Sequence, residues 1–216
     1  MNCPHCDSPV PTGSHGCPAC GFALPTLKPI LGDQWVRLER ITDAVQALPL
    51  RDSRTVEVLL DDFERQFPQA FIAIYLGQLP RQLKPAELGF WLLNHGAFNT
   101  PQVAKRNDFG LIVVIDYTSM DCAVSLGYAL EGLISPSKVA KSADNLAKFL
   151  RKNQLGPGLE ALIAQITSLL SRAGRPESRR PAHHQSGFAA DMGLRSLRSD
   201  HRKLTGDPEA SPRTHQ

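Results

Sequence analysis

Four cysteines near the N-terminus are the residues whose spacing predicts chemistry most directly. Cys3 and Cys6 form one Cys-x-x-Cys pair, Cys17 and Cys20 form a second, and ten residues separate the two pairs. Two thiolates three positions apart on a tight turn can face one ion, and two such turns supply the four ligands of a tetrahedral zinc site. The spacing predicts a short zinc ribbon over residues 1–24, with a disulfide or a redox dithiol as the alternatives.

The predicted zinc is structural rather than catalytic, because four sulfurs leave no open coordination position for substrate or water. A ribbon of this size is too small to build a hydrophobic core of its own, so metal binding and folding are expected to be one event. His5 and His15 lie inside the ribbon, and we expect both to face solvent because the sulfurs already complete the site.

A second candidate site lies where two predicted strands end. GLIVVIDY over 110–117 is a continuous apolar run typical of a central strand, and CAVSLGY over 122–128 alternates. A hairpin formed by these strands would place Asp108 opposite Glu131 at its open end. Paired carboxylates suit Ca²⁺ or Mg²⁺ better than zinc. The alternative is that each acid only caps the end of a loop.

The rest of the chain alternates between helical and strand patterns. Apolar residues at helical spacing predict a helix from Asp52, capped by Asp52 or Ser53 and ended by Pro68. FIAIYLG over 71–77 predicts a buried strand, and Pro85 begins a helix that ends near Gly96.

Two further helices are predicted over about 136–153 and from the GLEALIAQITSLLSRAG segment to Gly174. For residues 35–45 the spacing leaves a helix and an irregular lead-in both open. The order α, β, α, β, β, α, α predicts an α/β fold in which helices sandwich a small mixed β-sheet.

Domain boundaries follow from changes in composition. The zinc ribbon is followed by a linker over 25–34, an α/β domain over 35–173, and a polar tail over 174–216 that we expect to be disordered. The tail holds eight Arg or Lys against five Asp or Glu, so it carries the whole net charge of +3. Its basic residues are interleaved with acids, so we expect little nucleic-acid binding.

Membrane insertion and export are not indicated by the sequence. No stretch reaches the roughly 18 apolar residues that span a bilayer. The first residues lack the basic flank and apolar run of a signal peptide. We therefore expect a cytoplasmic protein, where thiols stay reduced and clustered cysteines bind metal. A protein partner, bound through the ribbon or the tail, is the expected ligand.

Several segments of residues 35–170 match a known pattern: Ile41-Thr42-Asp43, LLDDFERQFPQAFIAIYLG, FWLLNHGAF, the Asn107–Leu111 segment and the Gly127–Glu131 segment. In these segments the chain resembles the TPM domain, a family of thylakoid-lumen phosphatase-like and photosystem-repair proteins. The resemblance implies a helix-sandwiched sheet. It also implies a cluster of three acids, in which Asp43 joins Asp108 and Glu131, that binds Ca²⁺ or Mg²⁺.

Two functions follow from this pattern. Phe109 stands where the family has Asn and Ala129 where it has a second Gly. These departures favour an interaction or accessory module in which the zinc ribbon docks to a partner. The three retained acids favour a cation-dependent phosphatase, with Asp43, Asp108 and Glu131 as its candidate catalytic residues.

Overall fold

The computed structural model describes residues 1–11, 13–99 and 107–174, all of which fall within one compact unit. A 3-10 turn at Leu24–Leu27 precedes the first helix. The helices are α1 Lys28–Leu31, α2 Leu50–Gln66, α3 Pro85–His95, α4 Tyr128–Glu131, α5 Pro136–Leu150 and α6 Leu155–Ala173. The strands are β1 Val36–Glu39, β2 Ile41–Asp43, β3 Phe71–Gly77, β4 Gly96–Asn99, β5 Gly110–Asp116 and β6 Asp121–Leu126.

Four strands form a mixed sheet in the order β2-β3-β5-β6. The β2, β3 and β5 strands run parallel, whereas β6 pairs antiparallel with β5. Every residue of β5 is buried, which confirms the central strand that its unbroken apolar run predicts. A separate two-stranded parallel sheet joins β1 to β4.

Helices cover both faces of the four-stranded sheet, as the sequence predicts. On one face, α2, α5 and α6 pack against the odd-numbered side chains of β5 in the larger apolar core. On the other face, α3 packs against β5 and β6, and the even-numbered side chains of β5 join a second core there. None of the helices in the described ranges combines the length and the apolar character that a bilayer crossing requires.

Two segments differ from the sequence expectation. Residues 36–43 form β1 and β2 instead of a helix or an irregular lead-in, because β2 pairs its backbone with β3 from Ile41↔Ile74 onward and β-branched side chains fit a pleated strand. The predicted linker over residues 25–34 contains regular structure. The segment contains most of the 3-10 turn and all of α1, and its Leu27 is 2% exposed.

The predicted helices of the sheet domain are confirmed, with one change at a cap. The α2 helix begins at Leu50, and Pro49 occupies its N-cap position in place of Asp52 or Ser53. The predicted disordered tail begins at Gly174, the last described residue, so the tail itself lies outside the described residues.

Candidate metal centre and hairpin end

The four N-terminal cysteines converge on one point. Their sulfurs all lie within 4.8 Å of one another, and the Cys3–Cys20 and Cys6–Cys17 sulfur pairs are each 3.7 Å apart. Four sulfurs at about 2.3 Å from a tetrahedral zinc lie roughly 3.8 Å from one another, whereas a disulfide requires about 2.05 Å. All five cysteines of the chain are free thiols. The donor set and its spacing therefore fit a tetrahedral metal ion.

Tight turns give the two cysteine pairs this geometry. The Asp7 N–H donates to the Cys3 carbonyl, and the Gly21 N–H donates to the Cys17 carbonyl, each at a hydrogen-bond length of 2.8–2.9 Å. Gly21 has φ +73°, a left-handed conformation that glycine adopts without steric cost. We call the two turns together, residues 1–22, the knuckle pair. The backbone hydrogen bonds within these turns hold the sulfurs at the distances that one ion requires.

The environment of the thiols is asymmetric. The Ser8 side chain lowers the pKa of the Cys6 thiol to about 6. For Cys20, the backbone of Phe22 lowers the pKa, but desolvation and the neighbouring thiols outweigh that effect and raise the pKa to about 12. One thiolate thus forms easily near neutral pH, and an ion that binds here would have to displace the protons of the other thiols.

The knuckle pair packs against the N-terminal half of α3. The His5 ring nitrogen Nδ1 lies 2.5 Å from Glu87 Oε1, and Lys84 Nζ donates to the His5 carbonyl at 2.6 Å. Phe22 stacks on the His5 ring and contacts the edge of Phe90. These contacts fix the knuckle pair to the α/β domain. His5, expected to be merely solvent-facing, is half-exposed and makes one of the contacts.

Glu87 is the residue that sequence reasoning missed at this contact. It is 3% exposed, and its other carboxylate oxygen accepts from the Lys84 N–H at the start of α3. A glutamate three positions after a helix N-cap is a capping signal. The capping signal does not indicate that Glu87 also contacts His5, which lies 82 residues away in the chain.

The three candidate acids are not brought together. Asp43 pairs with Leu76 in β3, a position level with Ile115 of β5, whereas Asp108 precedes the opposite end of β5. Five strand residues separate these levels, or roughly 17 Å. The Asp43 carboxylate instead accepts the backbone N–H groups of the loop that follows β2: Val45, Ala47 and Leu48. The expectation that Asp43 joins the hairpin-end acids is therefore wrong, because β2 runs parallel to β3 and β5.

Asp108 and Glu131 lie at the same end of the sheet, but their register differs from the expected one. The β5–β6 ladder pairs Leu111 with Leu126, two residues off the expected pairing, because the turn is centred one residue earlier in the chain. Beyond the ladder, Asp108 lies in a short 3-10 turn and Glu131 ends α4. The metal role of this pair stays a prediction.

Tyr128 connects the two acids electrostatically. Burial raises the pKa of its phenol, and the negative charges of Glu131 and Asp108 raise it further. Glu131 also pairs with the Met1 amine at 3.5 Å. Among the described residues, the four cysteines are the only group of three or more His, Cys, Asp or Glu side chains arranged to hold a metal ion.

Asp116 and Cys122, near the two ends of the turn between β5 and β6, both make hydrogen bonds within the fold. Burial would raise the pKa of Asp116, but hydrogen bonds from the Ser119 hydroxyl and the N–H groups of Leu79 and Thr118 outweigh it and lower the pKa. Burial raises the pKa of the Cys122 thiol to about 12, and this thiol donates to the Ala143 carbonyl of α5 at 3.3 Å.

A groove with a volume of about 990 Å³ separates the knuckle pair and α3 from α5, with β6 at its floor. Sequence reasoning missed this groove, because it is built by segments that lie more than 100 residues apart. The strand at the floor of the groove, β6, has an alternating apolar pattern and lies at the end of the four-stranded sheet. These two features mark it as an edge strand.

No family model matches the chain, and no curated protein matches it. Among solved structures, the chain is similar to the NMR structure of the BA42 protein from Bizionia argentinensis, with a TM-score of 0.50, 9% identity, and coverage of 61% of this chain and 86% of that one. The chain thus shares the fold of a small bacterial domain, and that fold carries a four-cysteine cluster here.

Two other solved domains are more distant in shape. The N-terminal domain of the cg2496 protein from Corynebacterium glutamicum gives a TM-score of 0.48 and 14% identity, over 69% of this chain and 90% of that one. The N-terminal domain of a protein from P. gingivalis gives 0.46 and 16%, over 62% and 83%. The TPM resemblance stays a prediction.

Proposed function

We propose that this chain is a non-catalytic protein-interaction module whose Cys3, Cys6, Cys17 and Cys20 hold a structural zinc ion. The observation that carries the proposal is the closed set of four converging sulfurs in a knuckle pair that is packed against α3. Zinc bound by four thiolates has no position left for a substrate. The ion therefore maintains a binding surface and takes no part in a reaction.

The residues around the ion have supporting roles. Ser8 stabilises the Cys6 thiolate, and Phe22 is 7% exposed in the apolar contact between the knuckle pair and α3. Free thiols persist in the reducing cytoplasm, which is the compartment we propose. A protein partner is favoured over nucleic acid, because the basic residues of the sequence are interleaved with acids.

Metal analysis of the purified full-length chain tests the zinc centre. We expect about one zinc per chain, loss of that zinc in Cys6→Ser, and a lower melting temperature in that variant. Cys122→Ser is the matched control, because Cys122 lies in β6 outside the cluster and should keep the zinc. A wild-type chain with no zinc, or a Cys6→Ser variant with full zinc, would contradict the proposal.

A divalent-cation-dependent phosphatase, with Asp108 and Glu131 holding Ca²⁺ or Mg²⁺, is the second candidate. The observation that favours it is the position of both carboxylates at the same end of the sheet, with Asp108 in the 3-10 turn before β5 and Glu131 at the end of α4. Hydrolysis of a generic phosphomonoester is measured with and without each ion, and Asp108→Asn is compared with Asp62→Asn on the exposed side of α2. Cation-dependent turnover that only Asp108→Asn abolishes would establish the phosphatase. Absence of turnover leaves the interaction module.

A further inference from the structure

The groove above β6 is a feature of the structure that the proposed zinc centre does not explain. Its floor is formed by Cys122–Leu126 of β6, the last strand of the sheet among the described residues. The knuckle pair and α3 form one wall, with Phe90 and Leu93 among their apolar residues, and α5 forms the other with Val139 and Ala140. The inference below rests on the proposed interaction function and names the class of partner.

The hydrogen-bond pattern of the hairpin shows which backbone groups of β6 face the groove. The Gly127 N–H donates to the Gly110 carbonyl at 2.8 Å, so this is a bonded pair of the antiparallel ladder. Bonded pairs recur at every second residue, so Ala123 and Ser125 also bond to β5. The intervening residues, Cys122, Val124 and Leu126, must direct their N–H and C=O groups away from β5.

Most of these outward groups lack a partner within the part of the chain that the structure describes. The Cys122 N–H donates to its neighbour Asp121 at 2.9 Å. No described residue hydrogen-bonds to the N–H or C=O of Val124. The outward groups at positions 122, 124 and 126 repeat every two residues, which is the pattern that a neighbouring strand satisfies.

The groove runs along most of β6, because five of its six residues, Cys122–Leu126, line it. The strand spans about 20 Å, and the groove has a volume of about 990 Å³. Walls rise on both sides of the strand edge. An extended segment brings no helices of its own to these walls, whereas the β6 edge of a second copy would bring its α3 and α5 against them.

The charges of the groove disfavour a polyanionic occupant. Its lining holds three cationic groups, namely the Met1 amine, Lys84 and Lys141, against three carboxylates. These six groups balance, and the zinc-bound thiolates of Cys3 and Cys6 add negative charge to the wall formed by the knuckle pair, so the groove does not attract a polyanion. The apolar side chains on both walls match apolar side chains on both faces of an extended peptide.

We infer that the edge of β6 is the receptor for an extended apolar segment of a partner protein, which adds to the sheet as a fifth strand. Backbone hydrogen bonds to Val124 and Leu126 give the affinity, and the two walls select side chains on alternate faces. The partner is recognised by backbone and apolar contacts, so its binding should depend little on salt.

The test uses the full-length zinc-loaded chain and a fluorescein-labelled probe peptide, Lys-Val-Ala-Val-Ala-Val-Ala-Glu. Val124→Pro removes the outward N–H while leaving the ladder to β5 intact, because that N–H is not used there. Val124→Ala is the matched control, since it loses side-chain volume but keeps the N–H. Fluorescence anisotropy should show saturable binding that falls at least tenfold in Val124→Pro and less than threefold in Val124→Ala.

A second measurement does not depend on the folding of a variant. The same peptide with every backbone amide of its Val and Ala residues N-methylated keeps its side chains but cannot pair as a strand, so it should bind at least tenfold more weakly. Equal binding of both peptides, or no binding of either, would overturn the inference. A dimer of the free chain that Val124→Pro converts to monomer would also overturn it, because a second copy would then occupy the edge.

The zinc measurement separates this inference from the proposed function. A chain that holds zinc and binds no peptide retains its structural zinc centre and loses the inferred receptor. A chain that holds no zinc contradicts the proposed zinc centre, whatever the peptide does.

Discussion

The substitution Phe22→Ala tests whether the contact between the knuckle pair and α3 contributes to the stability of the fold. Phe22 is 7% exposed, and it lies between the His5 ring and Phe90 of α3. Removal of a buried phenylalanine side chain costs about 3–5 kcal/mol. The lower end of that range applies, because Phe22 is at the margin of the core and not in its centre.

A loss of about 3 kcal/mol lowers the melting temperature of a chain of this size by roughly 6–12 °C. Circular dichroism on the zinc-loaded protein measures the shift. Val58→Ala is the matched control, because Val58 is 57% exposed on α2 and should change stability by less than about 0.5 kcal/mol. If Phe22→Ala lowers the melting temperature no more than this control, the knuckle pair is tethered to the domain and does not form part of its core.

A double-mutant cycle of Phe22→Ala and Phe90→Ala measures how much of the lost stability comes from the contact between the two rings. Phe22 and Phe90 meet edge to face at 6.0 Å between ring centroids, a geometry that contributes about 0.5–1.5 kcal/mol beyond buried area. The double variant should therefore lose less stability than the two single variants added together. Strict additivity would show that the two rings do not touch in solution.

Three further outcomes follow from particular contacts. Gly127→Ala should cost about 1–3 kcal/mol, because its new Cβ would lie 2.2 Å from the Asn107 carbonyl oxygen, whereas Gly132→Ala meets no atom within 4 Å and should be neutral or stabilising in urea titrations. Asp116→Asn should be less stable than the wild type at neutral pH, and the difference in unfolding free energy should shrink as the pH falls below about 4. The native carboxylate has a lowered pKa, so its stabilising contribution is present above the unfolded pKa and is lost progressively as the pH falls through the folded pKa. Asp43→Ala should cost about 1–3 kcal/mol, equally with and without Ca²⁺, because its carboxylate accepts backbone N–H groups.

Each of these has a contrary result. Equal urea midpoints for the two glycine variants would contradict the close backbone approach at Gly127. A deficit of Asp116→Asn that is constant from pH 7 to pH 3 would show that its carboxylate has an ordinary pKa in the native state. If Asp43→Ala is less stable than the wild type only when Ca²⁺ is present, Asp43 would be a ligand of a metal ion after all.

Local patterns in the sequence predicted the elements that bury a regular apolar face. The continuous run of β5, the alternation of β6 and the stripe of α2 each reflect burial that repeats with the period of the element. The cysteine cluster was also predictable, because its four ligands come from two turns less than 20 residues apart. In each case the signal and the structure that it specifies occupy the same short segment.

The features that sequence could not supply depend on distant partners. Residues 36–43 become strands because β4 and β3 pair with them, and a helical spacing of apolar residues does not reveal such partners. The register of the β5–β6 hairpin follows from the conformation of its turn, in which Met120 has φ +55°. Moving the turn centre by one residue moves the pairing by two, and this is why the predicted Asp108–Glu131 pairing was offset.

The contact between His5 and Glu87 also sets an order of events during synthesis. The two residues are 82 positions apart, and ribosomes add about 5–20 residues per second. The N-terminal turns are therefore made roughly 4–16 s before the helix that covers them, and through that interval Phe22 is without its native contact with Phe90. If the cluster binds zinc as proposed, a nascent chain supplied with zinc can keep these turns folded during that interval. Metal supply during translation should then influence the yield of folded protein as well as its final stability.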